Sequence, residues 1–276
     1  WYVNPEDHRY FDDPEHREEG GTPDIIGSIR AGLVFRLKEA VGPELIRERE
    51  ARFTRRAIAS WERNPNIEIL GSREHERLCI VSFVVRHGTR YLHHNFVVAL
   101  LNDLFGIQAR GGCSCAGPYG HSLLGIDLDT SHEFEREIGR GCEGIKPGWV
   151  RVNFNYFLTE ATADFILEAV HLVAEHGWKL LDDYLFDPHT GLWQHRKGIT
   201  EPPLSLRDVE FTEQGCRYPD RRRREPESRM GAYLEEARQL FAAARPGRAA
   251  DTDPNVTSDF EHLRWFPLPG EWQMTP

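Results

Sequence analysis

Long apolar runs are missing from this 276-residue sequence. No stretch approaches the about eighteen hydrophobic residues that a bilayer-spanning helix needs, which excludes a membrane-spanning class for these residues. The opening residues, WYVNPEDHRYFDDPEH, lack the basic and then apolar order that is typical of a signal peptide. Because the first residue is Trp1 and not methionine, we expect these residues to come from inside a longer reading frame.

Cysteine is also scarce, and its five positions form no disulfide framework: Cys79, Cys113, Cys115, Cys142 and Cys216. An odd, scattered set predicts reduced thiols in a cytoplasmic compartment. Positive charge is in deficit too, since the formal net charge is -10. That charge disfavours nucleic acid as the main partner. We interpret the arginine run 221–224, which lies among Pro, Asp and Glu, as a solvated linker.

The sequence does contain a regular succession of apolar patterns. Helical spacing predicts helices over about 22–42 (Thr22 as the N-cap and Pro23 at the first helical position), 43–64, 93–106, 131–141 and from Thr159 to Gly177. Short β patterns predict strands at about 67–70, 78–86, 107–110 and 149–156. This mixed order, without long βαβ alternation, predicts an α+β fold with a short, mainly antiparallel sheet and helices packed on it.

The same patterns divide the chain into four parts. We expect a lead-in arm at 1–21, linking helices at 22–65, a small α+β domain with a cysteine loop at 66–182, and an extension at 183–276. The extension contains one amphipathic helix at 230–245, and its Pro-, Asp- and Gly-rich end from Pro246 onward predicts a poorly ordered tail.

The cysteine loop, RGGCSCAGPYGH at 110–121, has several possible roles. Cys113, Cys115 and His121 do not match zinc spacing, and no second cysteine pair exists, so no metal is predicted. A redox pair or a tight structural turn remains open. A reactive nucleophile is the third possibility, because glycines make the backbone adaptable, Arg110 supplies a nearby cation, and a helix is expected to start near Tyr119.

A second candidate feature is the strand WVRVNFNY at 149–156. Val150, Val152, Phe154 and Tyr156 fall on one face, and Arg151, Asn153 and Asn155 fall on the other. The polar face either meets solvent or lines a cleft in which the Arg151 guanidinium binds a carboxylate.

Three motifs occur in a familiar order: EEGGTPDIIGSIRAG, then IQARGGCSCAGP, then GWVRVNFNYFLTEATADF. Together, over roughly residues 18–177, they resemble the C-terminal third of the class V aminotransferase family, which comprises fold-type I pyridoxal-phosphate (PLP) enzymes. The cysteine desulfurase and selenocysteine lyase branch is the most similar. The resemblance implies the small C-terminal α+β domain of that fold.

The resemblance also implies roles for individual residues. Thr22, preceded by Gly21, matches the turn that binds the cofactor phosphate of the partner subunit. Cys115 matches the nucleophile that becomes a persulfide. Arg151 matches the arginine that binds the substrate carboxylate, and we assign Arg110 to substrate binding with it. Where the family has serine after the strand arginine, this chain has Asn153, so an aminotransferase- or epimerase-like reaction without a catalytic cysteine stays open.

The family's Schiff-base lysine precedes the Gly-Thr-Pro turn, whereas all four lysines here follow it: Lys38, Lys146, Lys179 and Lys197. We therefore expect PLP to be held through a lysine outside this chain, and the chain alone to be inactive. The implied partners are an upstream PLP-binding domain, a second subunit in a homodimer, an amino-acid substrate and a sulfur acceptor protein, but neither nucleic acid nor membrane. A different class also remains open, a non-catalytic interaction module in which residues 183–276 bind a partner.

Overall fold

A computed structural model of the chain describes residues 5–112, 117–198, 205–218, 225–245 and 257–271. The chain divides into two compact units, residues 1–49 and residues 50–276. Among the described residues, no helix combines the length and the apolar character needed to cross a membrane.

The first unit is helical. It contains α1 (Pro14–Glu18), α2 (Ile25–Val41) and the start of α3 (Pro43–Trp61). The predicted N-cap at Thr22 is wrong: α2 begins after Asp24, whose carboxylate accepts a hydrogen bond from the Gly27 N–H at 2.8 Å. A carboxylate caps a helix well because it also faces the positive helix end. Thr22 and Pro23 therefore precede the helix.

The second unit is built on a small antiparallel sheet. Its strands are β1 (Ile67–Ile69), β2 (Ile80–His87), β3 (Arg90–Tyr91), β4 (Arg110–Gly112) and β5 (Trp149–Asn153). They pair in the order β1-β2-β5-β4, with β3 against the end of β2, and every pair is antiparallel. The predicted α+β class is confirmed.

Helices and short turns complete this unit. The helices are α4 (His94–Phe105), α5 (Gly117–Leu124), α6 (Leu128–Gly139), α7 (Glu160–His176), α8 (Met230–Ala243) and α9 (Ser258–Leu263). Two hairpins pair β6 (Tyr184–Phe186) with β7 (Trp193–His195), and β8 (Glu210–Thr212) with β9 (Gly215–Arg217). In the described ranges, 3-10 turns lie at Glu143–Ile145, Gly177–Asp183, Leu206–Asp208 and Glu227–Arg229.

One face of the sheet carries the main core. Phe83, Val150, Val152 and Phe154 are buried there, together with the apolar stripes of α4 and α7. The opposite face carries only a small apolar cluster, in which Leu70, Val84 and Trp149 are packed against two leucines of α5. This asymmetry leaves part of the second face available for polar groups.

The strand predicted at 107–110 begins further along the chain, at Arg110, as β4. Gly106 adopts a left-handed conformation with φ 64° and donates its N–H to the Asn102 carbonyl, which ends α4. Ala109 then donates its N–H to the Ile107 carbonyl in a tight turn. The backbone therefore becomes extended only at Arg110.

Part of the predicted poorly ordered tail is folded, and the rest of it, 246–256 and 272–276, lies outside the described residues. Residues 257–271 include α9, and Phe260 and Phe266 are fully buried. Thr257 donates a hydrogen bond to the buried carboxylate of Glu137 at 2.8 Å, and the Trp265 indole donates one to the Ile145 carbonyl at 3.0 Å. This segment therefore belongs to the core of the second unit.

Candidate functional site

Two arginines meet on the less covered face of the sheet. Arg110 of β4 and Arg151 of β5 are direct partners in the antiparallel register. Both line a cleft of about 590 Å³, within the size range of small-ligand sites. The described residues around the cleft include no Asp or Glu. In a chain with a net charge of -10, this local excess of positive charge favours an anionic ligand.

The Arg151 guanidinium has an open edge. Its Nε and Nη2 atoms are buried, and neither has a hydrogen-bond partner among the described residues. These two nitrogens form the side of the guanidinium that a carboxylate engages with two parallel hydrogen bonds. A buried donor without a partner costs about 1–3 kcal/mol, so such an edge is expected where a ligand supplies the acceptors.

The cleft takes residues from both faces of β5. Val150, Val152 and Phe154 are buried in the core, as their spacing predicts, and Val152 also lines the cleft. Arg151, Asn153 and Asn155 all line the cleft, although β5 ends at Asn153. Of the two interpretations of this polar face, the structure favours the one with a cleft.

The predicted nucleophile lies outside the described residues, as do Cys113 and the rest of 113–116. The two ends of its loop are described. Gly112 pairs with Trp149 of β5 and has φ +120°, a conformation suited to glycine. At the other end, a Cβ on Gly120 of α5 would lie 3.4 Å from the Trp149 ring. The strand before the loop and the helix after it therefore both lie against β5, the strand that carries Arg151.

Gly111 is needed for close packing at the start of the same loop. A Cβ there would lie 2.8 Å from the Asn95 Oδ1 atom and 3.2 Å from the His94 carbonyl oxygen. Any side chain would therefore push β4 away from α4.

The described cysteines are poorer nucleophile candidates. Burial and the nearby Glu50 carboxylate raise the pKa of the Cys79 thiol, which disfavours the thiolate. Cys142 is buried in the core. Cys216 is exposed, but it lies on the β8–β9 hairpin, away from the residues that line the cleft. Within the described ranges, no cluster of three His, Cys, Asp or Glu suits a metal.

The residues present do not by themselves fit PLP. Lys38 lies on α2, Lys146 pairs with Glu143, Lys179 lies near the Trp178 ring and Lys197 follows the β7 strand. None of the four lines the cleft. Gly21 and Thr22 belong to the first unit, where Thr22 is exposed and Gly21 has φ +108°. A Schiff base to PLP in this cleft needs a lysine from elsewhere.

Sequence reasoning missed several lining residues. Gln108, Thr162, Phe165 and Met230 also form walls of the cleft. Thr162 and Phe165 could have been inferred from their place on α7 near its capped start. Met230 comes from the extension, and no local signal points from it to Arg151.

The fold and the arginine pair define this part of the chain as an α+β domain with a cleft lined by two arginines. The model of the family "Aminotransferase class-V" matches residues 3–161, more than half of the chain. The chain belongs to the class V aminotransferase family, which confirms the resemblance seen in the sequence.

Relatives in this family include a cysteine desulfurase of Dickeya dadantii, 31% identical over 108 residues, which are 39% of this chain and 24% of that protein. A probable cysteine desulfurase of Halobacterium salinarum is 27% identical over 124 residues, 45% of this chain and 28% of that protein. The chain thus spans about a quarter of the length of these relatives. The apo structure of a cysteine desulfurase from Thermococcus onnurineus is 24% identical, with a TM-score of 0.49, over 63% of this chain and 37% of that one.

Proposed function

We propose that this chain is the substrate-binding part of a PLP-dependent enzyme of the cysteine desulfurase type. In this proposal, Arg151 binds the carboxylate of an amino-acid substrate through its Nε and Nη2 atoms, and Arg110 adds a second positive charge. The open edge of Arg151 is the observation that carries the proposal, because buried guanidinium nitrogens without an acceptor favour the binding of an anion. The absence of Asp and Glu from the described cleft wall supports it.

Cys115 is the proposed sulfur acceptor. Its thiolate forms a bond to the substrate sulfur and breaks the substrate C–S bond, whose electron pair stays with the carbon fragment. The product on the protein is a persulfide, which then passes its outer sulfur to an acceptor protein. Support comes from the resemblance of the 110–116 motif to the desulfurase loop and from the packing of the strand before the loop and the helix after it against β5.

The remaining parts of the site come, in this proposal, from protein outside these residues. A PLP-binding domain supplies the Schiff-base lysine, and Gly21 and Thr22 contact the cofactor phosphate of the partner subunit in a homodimer. The surface of α2 supports the presence of covering protein. Ile26, Leu33, Val34 and Phe35 are each at least 58% exposed, although a helix that is apolar all round is normally buried. The reduced thiols fit a cytoplasmic enzyme.

Carboxylate binding tests the first part of the proposal. We expect L-alanine to shift backbone NMR resonances of Arg110 and Arg151 saturably in the wild-type chain, since alanine carries the carboxylate without a reactive sulfur. Arg151→Gln should abolish these shifts. Arg136→Gln, at an exposed arginine of α6, is the matched control and should leave them unchanged. Equal binding by the Arg151→Gln variant would refute the assignment of Arg151.

Thiol alkylation and PLP absorbance test the other parts. Iodoacetamide at neutral pH should modify Cys115 at least about tenfold faster than the exposed Cys216, because a catalytic thiol has a lowered pKa. Mass spectrometry of peptides identifies the sites, and Cys115→Ser is the control. With PLP added, the chain alone should develop no absorbance band of a lysine Schiff base. A slow Cys115, or such a band, contradicts the proposal.

A further inference from the structure

One wall of the candidate cleft comes from far along the chain. Met230, the first residue of α8, lines the cleft with Thr162, Phe165 and Ile166 of α7. The family match ends at residue 161. The extension therefore adds a side chain to a cleft whose charged groups lie within the family region.

The body of α8 is firmly attached to the second unit. Ala237 and Phe241 are 1% and 2% exposed and belong to the main core. Arg238 also donates a hydrogen bond to the Glu168 carboxylate of α7 at 2.6 Å. These contacts fix the rotation and the register of α8 along α7.

The start of α8 is attached separately. The Glu227 carboxylate, in the 3-10 turn before the helix, accepts hydrogen bonds from the Thr159 hydroxyl at 2.8 Å and from the Thr162 hydroxyl at 3.2 Å. Thr159 is the N-cap of α7, and Thr162 lines the cleft. The residues just after Glu227 are therefore held against the start of α7.

We infer that Met230 limits the size of the group that a carboxylate ligand carries, and so acts as a specificity-determining residue. This inference rests on the proposed binding of a carboxylate by Arg151. The charged part of the cleft would receive the carboxylate, and the apolar wall formed by Ile80, Phe165, Ile166 and Met230 would contact the rest of the ligand. Methionine is long and flexible, so it fills such a space without closing it to small ligands.

A series of straight-chain carboxylates tests the inference on the full chain. Dissociation constants for acetate, butyrate and hexanoate are measured by NMR titration at fixed ionic strength. In Met230→Ala, affinity for hexanoate should rise by about fourfold for each methylene newly accommodated, while affinity for acetate stays the same. Met230→Phe should act in the opposite direction and weaken butyrate and hexanoate. Leu240→Ala, at an exposed position of the same helix, is the matched control.

The outcomes separate this inference from the proposed function. If acetate binds and depends on Arg151, but the hexanoate-to-acetate ratio is the same in wild type, Met230→Ala and Met230→Phe, the role of Met230 is refuted and the proposed function survives. If the wild-type chain binds none of the three compounds, the assignment of Arg151 fails and the inference fails with it. A ratio that rises in Met230→Ala and falls in Met230→Phe supports the inference, and the reverse pattern refutes it.

Discussion

Two arginines with buried nitrogen atoms, Arg264 and the half-buried Arg151, have opposite hydrogen-bond environments. Arg264, near the end of the chain, has a side chain only 5% exposed, and it donates hydrogen bonds to Glu261, to both carboxylate oxygens of Glu271 and to the Phe266 carbonyl. Arg151 presents two buried nitrogens that no described residue accepts from. The Arg264 guanidinium is therefore fully hydrogen-bonded, whereas one edge of the Arg151 guanidinium has no acceptor among the described residues.

Under the proposed function, the difference corresponds to a structural use of Arg264 and a ligand-binding use of Arg151. Burial alone would raise the pKa of the Glu271 carboxyl, but the hydrogen bonds and charge of Arg264 outweigh it and lower that pKa below its usual value. A network of this kind stabilises the position of residues 257–271. An open guanidinium stabilises nothing in the free chain and is useful only when an anion arrives.

The largest expected effect on stability is that of replacing Arg264. Arg264→Ala should lower the free energy of unfolding by about 3 kcal/mol, because it leaves Glu261 and Glu271 close together with only Arg90, 3.5 Å from Glu271, as a nearby cation. Urea denaturation at neutral pH measures the change. Arg238→Ala removes an exposed ion pair with Glu168 and should cost less than about 1 kcal/mol. Equal losses in the two variants would remove the distinction between a buried network and a surface pair.

The second largest expected effect is a loss of stability at acidic pH, which arises from two histidines near the same segment. Burial lowers the pKa of His94 to about 3, and its ring is stacked on Trp265 with centroids 5.7 Å apart. Burial and the adjacent His94 also lower the pKa of His93 well below its usual value. Since the unfolded chain binds these protons below about pH 6.5 and the folded chain does not, stability is retained above that pH and falls as pH decreases.

The contribution of His94 can be isolated by substitution. At pH 5 it should amount to about 2 kcal/mol, from about 1.4 kcal/mol per pH unit below its unfolded pKa. His94→Phe keeps a ring against Trp265 and should lose less stability than wild type between pH 7 and pH 5. Urea midpoints at the two pH values measure this difference. Equal losses of stability in wild type and His94→Phe would show that His94 has the same protonation behaviour in the folded and unfolded chain.

A smaller effect is expected at Gly111, which follows the cleft residue Arg110 in β4. Gly111→Ala should cost about 1–2 kcal/mol and weaken carboxylate binding, because its Cβ would crowd Asn95 and the His94 carbonyl and displace β4 next to Arg110. Gly139→Ala is the matched control. A Cβ there meets no atom within 4 Å, and the exchange in a helix should stabilise by about 0.5 kcal/mol. A Gly111→Ala protein with wild-type stability and binding would contradict the proposed packing.

Much of this arrangement could be predicted from periodicity. The alternation in WVRVNFNY places Arg151, Asn153 and Asn155 on one face, and the structure has all three in the cleft. The pairing of Arg110 with Arg151 could not be predicted, because a strand pattern does not identify its partner or its register.

The predictions that were wrong have physical causes of the same kind. Asp24 caps α2 in place of Thr22, since both residues are good caps and only the three-dimensional backbone selects one. The Pro-rich composition after residue 246 predicted disorder, yet Phe260, Arg264 and Phe266 are buried. The segment is held by distant partners, since Thr257 donates to Glu137 and the Gly270 N–H donates to Asp182, and local composition does not reveal them.

Urea unfolding of wild type and Arg151→Met, with and without saturating acetate, tests the central claim most directly. If Arg151 is held open for a carboxylate, the variant should be at least as stable as wild type without acetate, because methionine removes the unsatisfied donors. Acetate at about 100 times its dissociation constant should then stabilise wild type by about 2.7 kcal/mol and leave the variant unchanged. A loss of several kcal/mol in Arg151→Met, with no response of wild type to acetate, would show that Arg151 is a structural cation like Arg264.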